Sequence, residues 1–114
     1  MASWFARPVL HVSNLEAAIR FYVERLGFAK AWQYEDEVAQ VEREECALIL
    51  SSQWPEKVGK GLTFISPGSA AAVDAIRADL EARGAEIKEG SWGYRILIVT
   101  DPDGNELYFN YPNE

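Results

Sequence analysis

One pattern, present twice, constrains this chain more than any other feature. Residues 6–13 read as an extended strand, with Leu10 and Val12 on one side and Arg7, Val9 and His11 on the other. Asn14 then has the character of a helix N-cap. Leu15, Ala18, Ile19, Tyr22, Val23 and Leu26 recur at helical spacing, opposite Glu16, Arg20, Glu24 and Arg25. Gly27 supplies the residue without a Cβ that a left-handed helix stop favours. Three extended runs follow, over 28–35, 37–43 and 46–52, broken at Asp36 and at Glu44 and Glu45. The order then returns: a strand over 61–66, Ser69 as cap, a helix over 70–83 with Val73, Ile76 and Leu80 inward, Gly84 as stop, and a short strand over 85–89.

The second copy ends in a hairpin. Tyr94 to Thr100 is an apolar, β-branched run, and Glu106 to Tyr111 alternates with a period near two. Between them Asp101-Pro102-Asp103-Gly104-Asn105 has the chemistry of a tight turn: Pro102 fixes φ, the aspartates bond nearby amides, and Gly104 accepts a positive φ. The polar segment 53–60, with Pro55 and Gly59, reads as a connection between halves. The chain is therefore a tandem βαβββ duplication within one domain: module one over about 5–52, connection 53–60, module two over 61–114. Two copies do not make a solenoid, and neither module alone can bury its sheet, so the natural closure is a pseudo-twofold pair.

Composition narrows the function classes. A chain of 114 residues that is 48% hydrophobic holds one ordinary core without staples. Cys46, the only cysteine, cannot form an intrachain disulfide, and its apolar neighbours indicate a buried thiol in a reducing, cytoplasmic setting. No apolar run approaches the roughly 18 residues of a membrane span, and the start of the chain lacks the charged-then-apolar pattern of a leader, so an unprocessed N-terminus is expected. A formal charge of −7 opposes nucleic acid and anionic membranes and suits solubility or a cationic ligand.

The strings PVLHVSNLEAAIRFYVERLGF and SWGYRILIVTDPDGNELYF, in that order and within a duplicated chain, resemble the glyoxalase, bleomycin-resistance and extradiol dioxygenase superfamily, also called vicinal oxygen chelate proteins. The resemblance covers nearly the whole chain. It implies an α+β fold in which tandem βαβββ modules form a curled eight-stranded mixed sheet, a cup, with two outer helices and a ligand pocket inside. In metal-dependent members four donors on strands one, four, five and eight chelate a divalent ion. By alignment those positions hold Arg7, Ile49, Gly61 and Tyr108, none of which replaces the expected donor. His11 lies four residues beyond the first position, and Glu106 two residues before the last. No single register shift promotes both.

No other catalytic constellation takes the metal's place. There is no Ser or Cys nucleophile with an adjacent base and no glycine-rich phosphate loop, and the pairs Asp36/Glu37 and Glu44/Glu45 fall in turns facing water. The aromatic signal is stronger. Trp4 and Trp32 read equally as padding for a module or dimer interface, whereas Trp54 and Trp92 fall in loops or at strand edges, where they suit stacking on a flat or cationic ligand.

Ser91-Trp92-Gly93, Arg95 and the Asp-Pro-x-Gly-Asn turn are similar to the bleomycin-resistance branch, whose members are acidic homodimers that sequester a planar-tailed cation without metal or cofactor. The resemblance places Trp92 beside the flat end of a ligand, and strand parity adds Tyr108, Asn110, His11 and Ser51, with Ile49, Arg7 and Trp54 completing the set. The expected protein is a homodimeric small-molecule binder of this type. The alternatives are a glyoxalase-like metal-dependent lyase, isomerase or dioxygenase with a shifted metal site, and a regulatory dimer whose cup is merely core.

Overall fold

The computed structural model describes residues 4–113. The expectation of an unprocessed N-terminus and the last residue of module two fall outside them. Module one runs β1 (Val9–His11), α1 (Leu15–Arg20) continued by a π-helical turn (Phe21–Arg25), β2 (Ala29–Tyr34), β3 (Val38–Arg43) and β4 (Cys46–Ser51). A 3-10 turn (Pro55–Lys57) lies in the connection. Module two runs β5 (Leu62–Ile65), α2 (Ala70–Ala82), β6 (Lys88–Ser91), β7 (Arg95–Thr100) and β8 (Glu106–Asn110).

Local chemistry explains both helices. The Asn14 side chain accepts from the Ala17 amide at 2.9 Å, and the Ser69 hydroxyl accepts from the Ala72 amide at 3.1 Å, each satisfying an orphan donor of the first turn. Gly27 and Gly84 follow with φ of 72° and 80°, the left-handed stop at equivalent places in the two modules.

The eight strands form two mixed four-stranded sheets, ordered β1-β4-β3-β2 and β5-β8-β7-β6. In each, the first strand runs parallel to the last and the others are antiparallel. The sixth strand lies three residues later than its sequence pattern indicates. Ala85 and Ile87 pack on the core as an extended lead-in, and pairing begins at Lys88↔Ile98. Gly90 permits this register, since a Cβ there would come within 2.9 Å of the Ile98 side chain.

One continuous core joins the modules. Leu10, Val12, Leu15, Tyr22, Leu48 and Leu50 from the first meet Val73, Leu80, Leu97, Val99, Leu107 and Phe109 from the second. Each such side chain contributes roughly 1.5–3 kcal/mol by leaving water. Polar pins cross the same boundary: Ser13 Oγ donates to Asp103 at 2.6 Å, Asn105 Nδ2 donates to the His11 carbonyl at 3.0 Å, and Arg43 pairs with Asp79 at 2.9 Å, while the Gly59 amide ties the connection to the same carbonyl at 3.2 Å. Helices and core occupy one side of each sheet, which leaves the other side of each open. Among the described residues no helix is long and apolar enough to cross a membrane.

Candidate functional site

The open faces carry the candidate chemistry. Period two and the strand registers define them. On the first sheet Val9, Ile49, Gln40 and Trp32 form one row, and His11, Ser51, Val38 and Tyr34 the next. On the second, Phe64, Tyr108, Ile98 and Lys88 share a row, next to Leu62, Glu106 and Thr100. Large apolar side chains on both faces meet solvent: Val9 is 45% exposed, Trp32 41%, Tyr34 61%, Leu62 47%, Trp92 59% and Tyr94 38%. Neither face covers the other within one chain.

On the second face four aromatic rings make a wall. Phe64 meets Trp92 at 5.5 Å and Tyr94 at 5.7 Å between centroids, and Trp92 meets Tyr108 at 5.8 Å, nearly perpendicular. Phe64, Trp92 and Tyr94 line a shallow hollow of about 420 Å³. A tight turn holds Trp92 there: its amide donates to the Tyr94 carbonyl at 2.9 Å across Gly93, whose φ is 71°. The Tyr108 hydroxyl points to Glu106 at 3.5 Å, and burial, followed by that carboxylate's charge, raises its pKa above the ordinary 10.0. Tyr108 stays a neutral donor near pH 7.

A polar network crosses the first face. Arg7 reaches from ahead of β1 to donate to Gln40 Oε1 at 3.0 Å. The Trp32 indole N–H donates to the same oxygen at 3.2 Å, and Gln40 Nε2 donates to Glu42 at 2.6 Å. His11 stands edge-on to Trp54 at 5.5 Å, with its Nδ1 buried and unpartnered among the described residues, and Lys57 lies 5.7 Å from the Trp54 ring.

The expected ligand-contacting residues therefore divide. Arg7, Ile49, His11 and Ser51 belong to the first face, Trp92, Tyr108 and Asn110 to the second, and Trp54 to the connection against His11. Ser51 and Asn110 have the expected parity but are buried, with Ser51 against Gln53 and Asn110 accepting from the Ser66 hydroxyl at 2.6 Å. Trp4 is 95% exposed, so padding of the module boundary is not its role. Beyond the expected residues, the open faces also carry Phe64, Tyr94, Trp32, Gln40 and Glu42. Parity with Tyr108 across β5 and β8 would have found Phe64. The Gln40 network depends on a bulge between Lys30 and Trp32 that sequence does not show.

A groove of about 840 Å³ opens between the modules on the helix side, lined by Leu26, Phe28, Ile65, Ile76 and Phe109 and bordered by Cys46. Cys46, expected as a buried thiol, is half-buried: it packs against the core and borders this groove. Burial still raises its thiol pKa above the ordinary 9.0.

The glyoxalase/bleomycin resistance protein/dioxygenase superfamily model matches residues 4–109. The chain belongs to this superfamily. No curated protein matches it. Among solved structures it is similar to the bleomycin-binding protein of Streptomyces verticillus complexed with copper(II)-bleomycin, at 24% identity and TM-score 0.79, over 99% of this chain and 100% of that one. It is also similar to TnmS3, an antibiotic binding protein from Streptomyces sp. CB03234, at 29% identity and TM-score 0.71, over 99% of both chains. Lactoylglutathione lyase from Agrobacterium tumefaciens shares the fold at 19% identity and TM-score 0.74, over 97% of this chain and 96% of that one.

The four positions aligned with the superfamily's metal donors do not fit a divalent ion. The Arg7 guanidinium is a cation with no lone pair to offer, Ile49 is hydrocarbon, and Tyr108 presents a neutral phenol. At Gly61 there is no donor, and a side chain added there would point into the core, away from the open face that carries Leu62 and Phe64. The Gly61 amide donates to Asn105 Oδ1 at 2.8 Å, and a Cβ would meet Leu10 at 2.7 Å and that same oxygen at 2.9 Å. Among the described residues no group of three or more His, Cys, Asp or Glu side chains converges on one point.

Proposed function

We propose that this protein is a metal-free, homodimeric, cytoplasmic small-molecule binder of bleomycin-resistance type, which sequesters a planar, cationic ligand in a cup at the subunit interface. The observation that carries this reading is the pair of exposed, aromatic-rich sheet faces on a chain whose core is already filled elsewhere. Contiguous apolar faces of this kind mark interaction surfaces. Under a twofold axis, the first sheet of one protomer and the second sheet of its partner close two equivalent cups. Each cup then has an aromatic wall from one chain and the polar row of Arg7, Gln40 and Glu42 from the other.

Charge and chemistry support a flat cation. The chain carries −7, and carboxylates at Glu42 and Glu106 lie beside Trp32 and Tyr108, an arrangement suited to stacking with cation–π and ionic contact. TnmS3, 29% identical over nearly the full length, is an antibiotic binding protein, which supports a small-molecule ligand. Binding without covalent change asks only for this wall.

Calorimetry with bleomycin or phleomycin, together with sedimentation equilibrium, tests the proposal. The expected result is a dimer that binds the antibiotic with quenched tryptophan emission, weakened in Trp92→Ala. No heat and no emission change at micromolar antibiotic would sink the bleomycin version, and a monomer would sink the shared cup. Stoichiometric nickel, zinc, iron or manganese in protein purified without chelators, lost in His11→Ala, would instead establish the metal-dependent alternative.

A further inference from the structure

Gln40 sits on the open face of the first sheet, yet only 6% of its surface is exposed. Its oxygen accepts from both Arg7 and Trp32, and its nitrogen donates to Glu42, so a neutral amide links a guanidinium to a carboxylate. Both acceptor sites of that oxygen are filled, which fixes the amide orientation and with it the sign of charge on each side. Arg7 is held further by the Phe5 ring, 5.6 Å from its guanidinium carbon. The guanidinium has five N–H donors and spends one on Gln40, while Glu42 is an exposed residue with a second carboxylate oxygen. A donor array and an acceptor are thus offered side by side, next to the half-exposed Trp32 plane, in fixed order. A surface that selected cations alone would have no use for the arginine.

We propose that Arg7 and Glu42, held in register by Gln40, form a dipolar recognition element that selects ligands carrying a cationic amine and a carbonyl-type acceptor on one edge of an aromatic scaffold. This rests on the cup reading and deepens it: the aromatic wall takes the ring, and this element reads the polar edge. Glu42 takes the ammonium, and Arg7 takes the carbonyl or carboxylate oxygen through charge-assisted hydrogen bonds. Arg and Glu act on different atoms of the ligand, so each can be tested separately.

Three probes on one scaffold make the test: L-phenylalaninamide with amine and carbonyl, phenethylamine with amine only, and 3-phenylpropionamide with carbonyl only. Dissociation constants come from ligand-observed NMR on the full chain. The expected result is L-phenylalaninamide bound about tenfold or more tightly than either single-function probe, the size of one charge-assisted hydrogen bond. Glu42→Gln should remove its advantage over 3-phenylpropionamide, and Arg7→Met its advantage over phenethylamine. Equal binding of L-phenylalaninamide and phenethylamine overturns the dipolar element. If Trp92→Ala then weakens both, the cup reading survives that failure. Absence of binding by all three probes also overturns the element, while sedimentation and antibiotic calorimetry judge the cup independently.

Discussion

The Tyr22 hydroxyl donates to Asp101 Oδ2 at 3.0 Å, joining the π-helical turn of the first module to the hairpin turn of the second. Both residues are buried. Asp101 also accepts from the amides of Asp103 and Asn105 and from Asn105 Nδ2, each at 2.9 Å, so one carboxylate organises the turn and anchors the helix. Tyr22→Phe should cost about 1–2 kcal/mol in denaturant unfolding, because the other donors keep Asp101 satisfied. Asp101→Ala should cost more, roughly 3 kcal/mol, since it strands several buried donors at once.

The same contact sets an alkaline limit. Burial, and then the Asp101 charge, push the Tyr22 phenol far above its ordinary 10.0. Below that value folded and unfolded chains both hold the proton, and the stabilisation is complete. Above it the unfolded chain loses a proton that the folded chain keeps, so stability falls as pH rises, by up to about 1.4 kcal/mol per pH unit. Tyr108 and Tyr111 are raised too and add to the slope. Tyr22→Phe should therefore shallow the decline above pH ~10 by about one proton's worth, read from urea midpoints across the range.

Gly59 fits the connection to that turn. Its φ is 76°, its amide donates to His11, and a Cβ would overlap the Asp103 carbonyl oxygen, a backbone atom that cannot swing aside. Gly59→Ala combines an unfavourable φ with this clash and should destabilise by about 2–4 kcal/mol. Gly68→Ala provides the control: φ there is 100° but nothing lies within 4 Å of the added carbon. It should retain the conformational cost without the clash.

Asp79 ties the second helix to the end of β3 from the surface. Arg83 first, then Arg43, bonds its carboxylate at 3.0 and 2.9 Å and holds its pKa below the ordinary 3.8. This stabilisation is present above about 3.8 and is lost as pH falls through the lowered value. Because about a third of the side chain is exposed, solvent screening limits the contribution to under ~1 kcal/mol. Asp79→Asn should lower the urea midpoint slightly at pH 7, less so in 1 M salt, and not at all near pH 2.

What was legible in the sequence was what local chemistry decides. Asn14 and Ser69 cap their helices, Gly27 and Gly84 stop them, and the residues around Pro102 turn, because each acts on backbone groups within a few positions. The duplicated modules followed from those marks. The sixth strand begins later than its pattern indicates because its register is set by packing across the hairpin, where Gly90 lies opposite Ile96 and against the Ile98 side chain, and not by chemistry within the strand itself. Parity correctly assigned His11 and Tyr108 to open faces, but it could not show that Ser51 and Asn110 are covered there. Nor could it show that Arg7 crosses a strand to reach Gln40, since side-chain reach over a sheet is set by what the neighbouring rows leave open.

The shared cup makes its own demand on Leu62. This residue is 47% exposed at the free edge of β5 and adjoins the row of Phe64 and Tyr108, so it contributes little to the fold of one chain. In the proposed dimer it is covered by the first sheet of the partner. Leu62→Asp should then leave the unfolding free energy of the monomer within about 0.5 kcal/mol, while an uncompensated buried carboxylate weakens association by two orders of magnitude or more, roughly 3 kcal/mol. Sedimentation equilibrium at micromolar protein should show a dimer for the parent and a folded monomer for the variant. A variant that stays dimeric would mean that the second sheet is covered by something other than the partner's first.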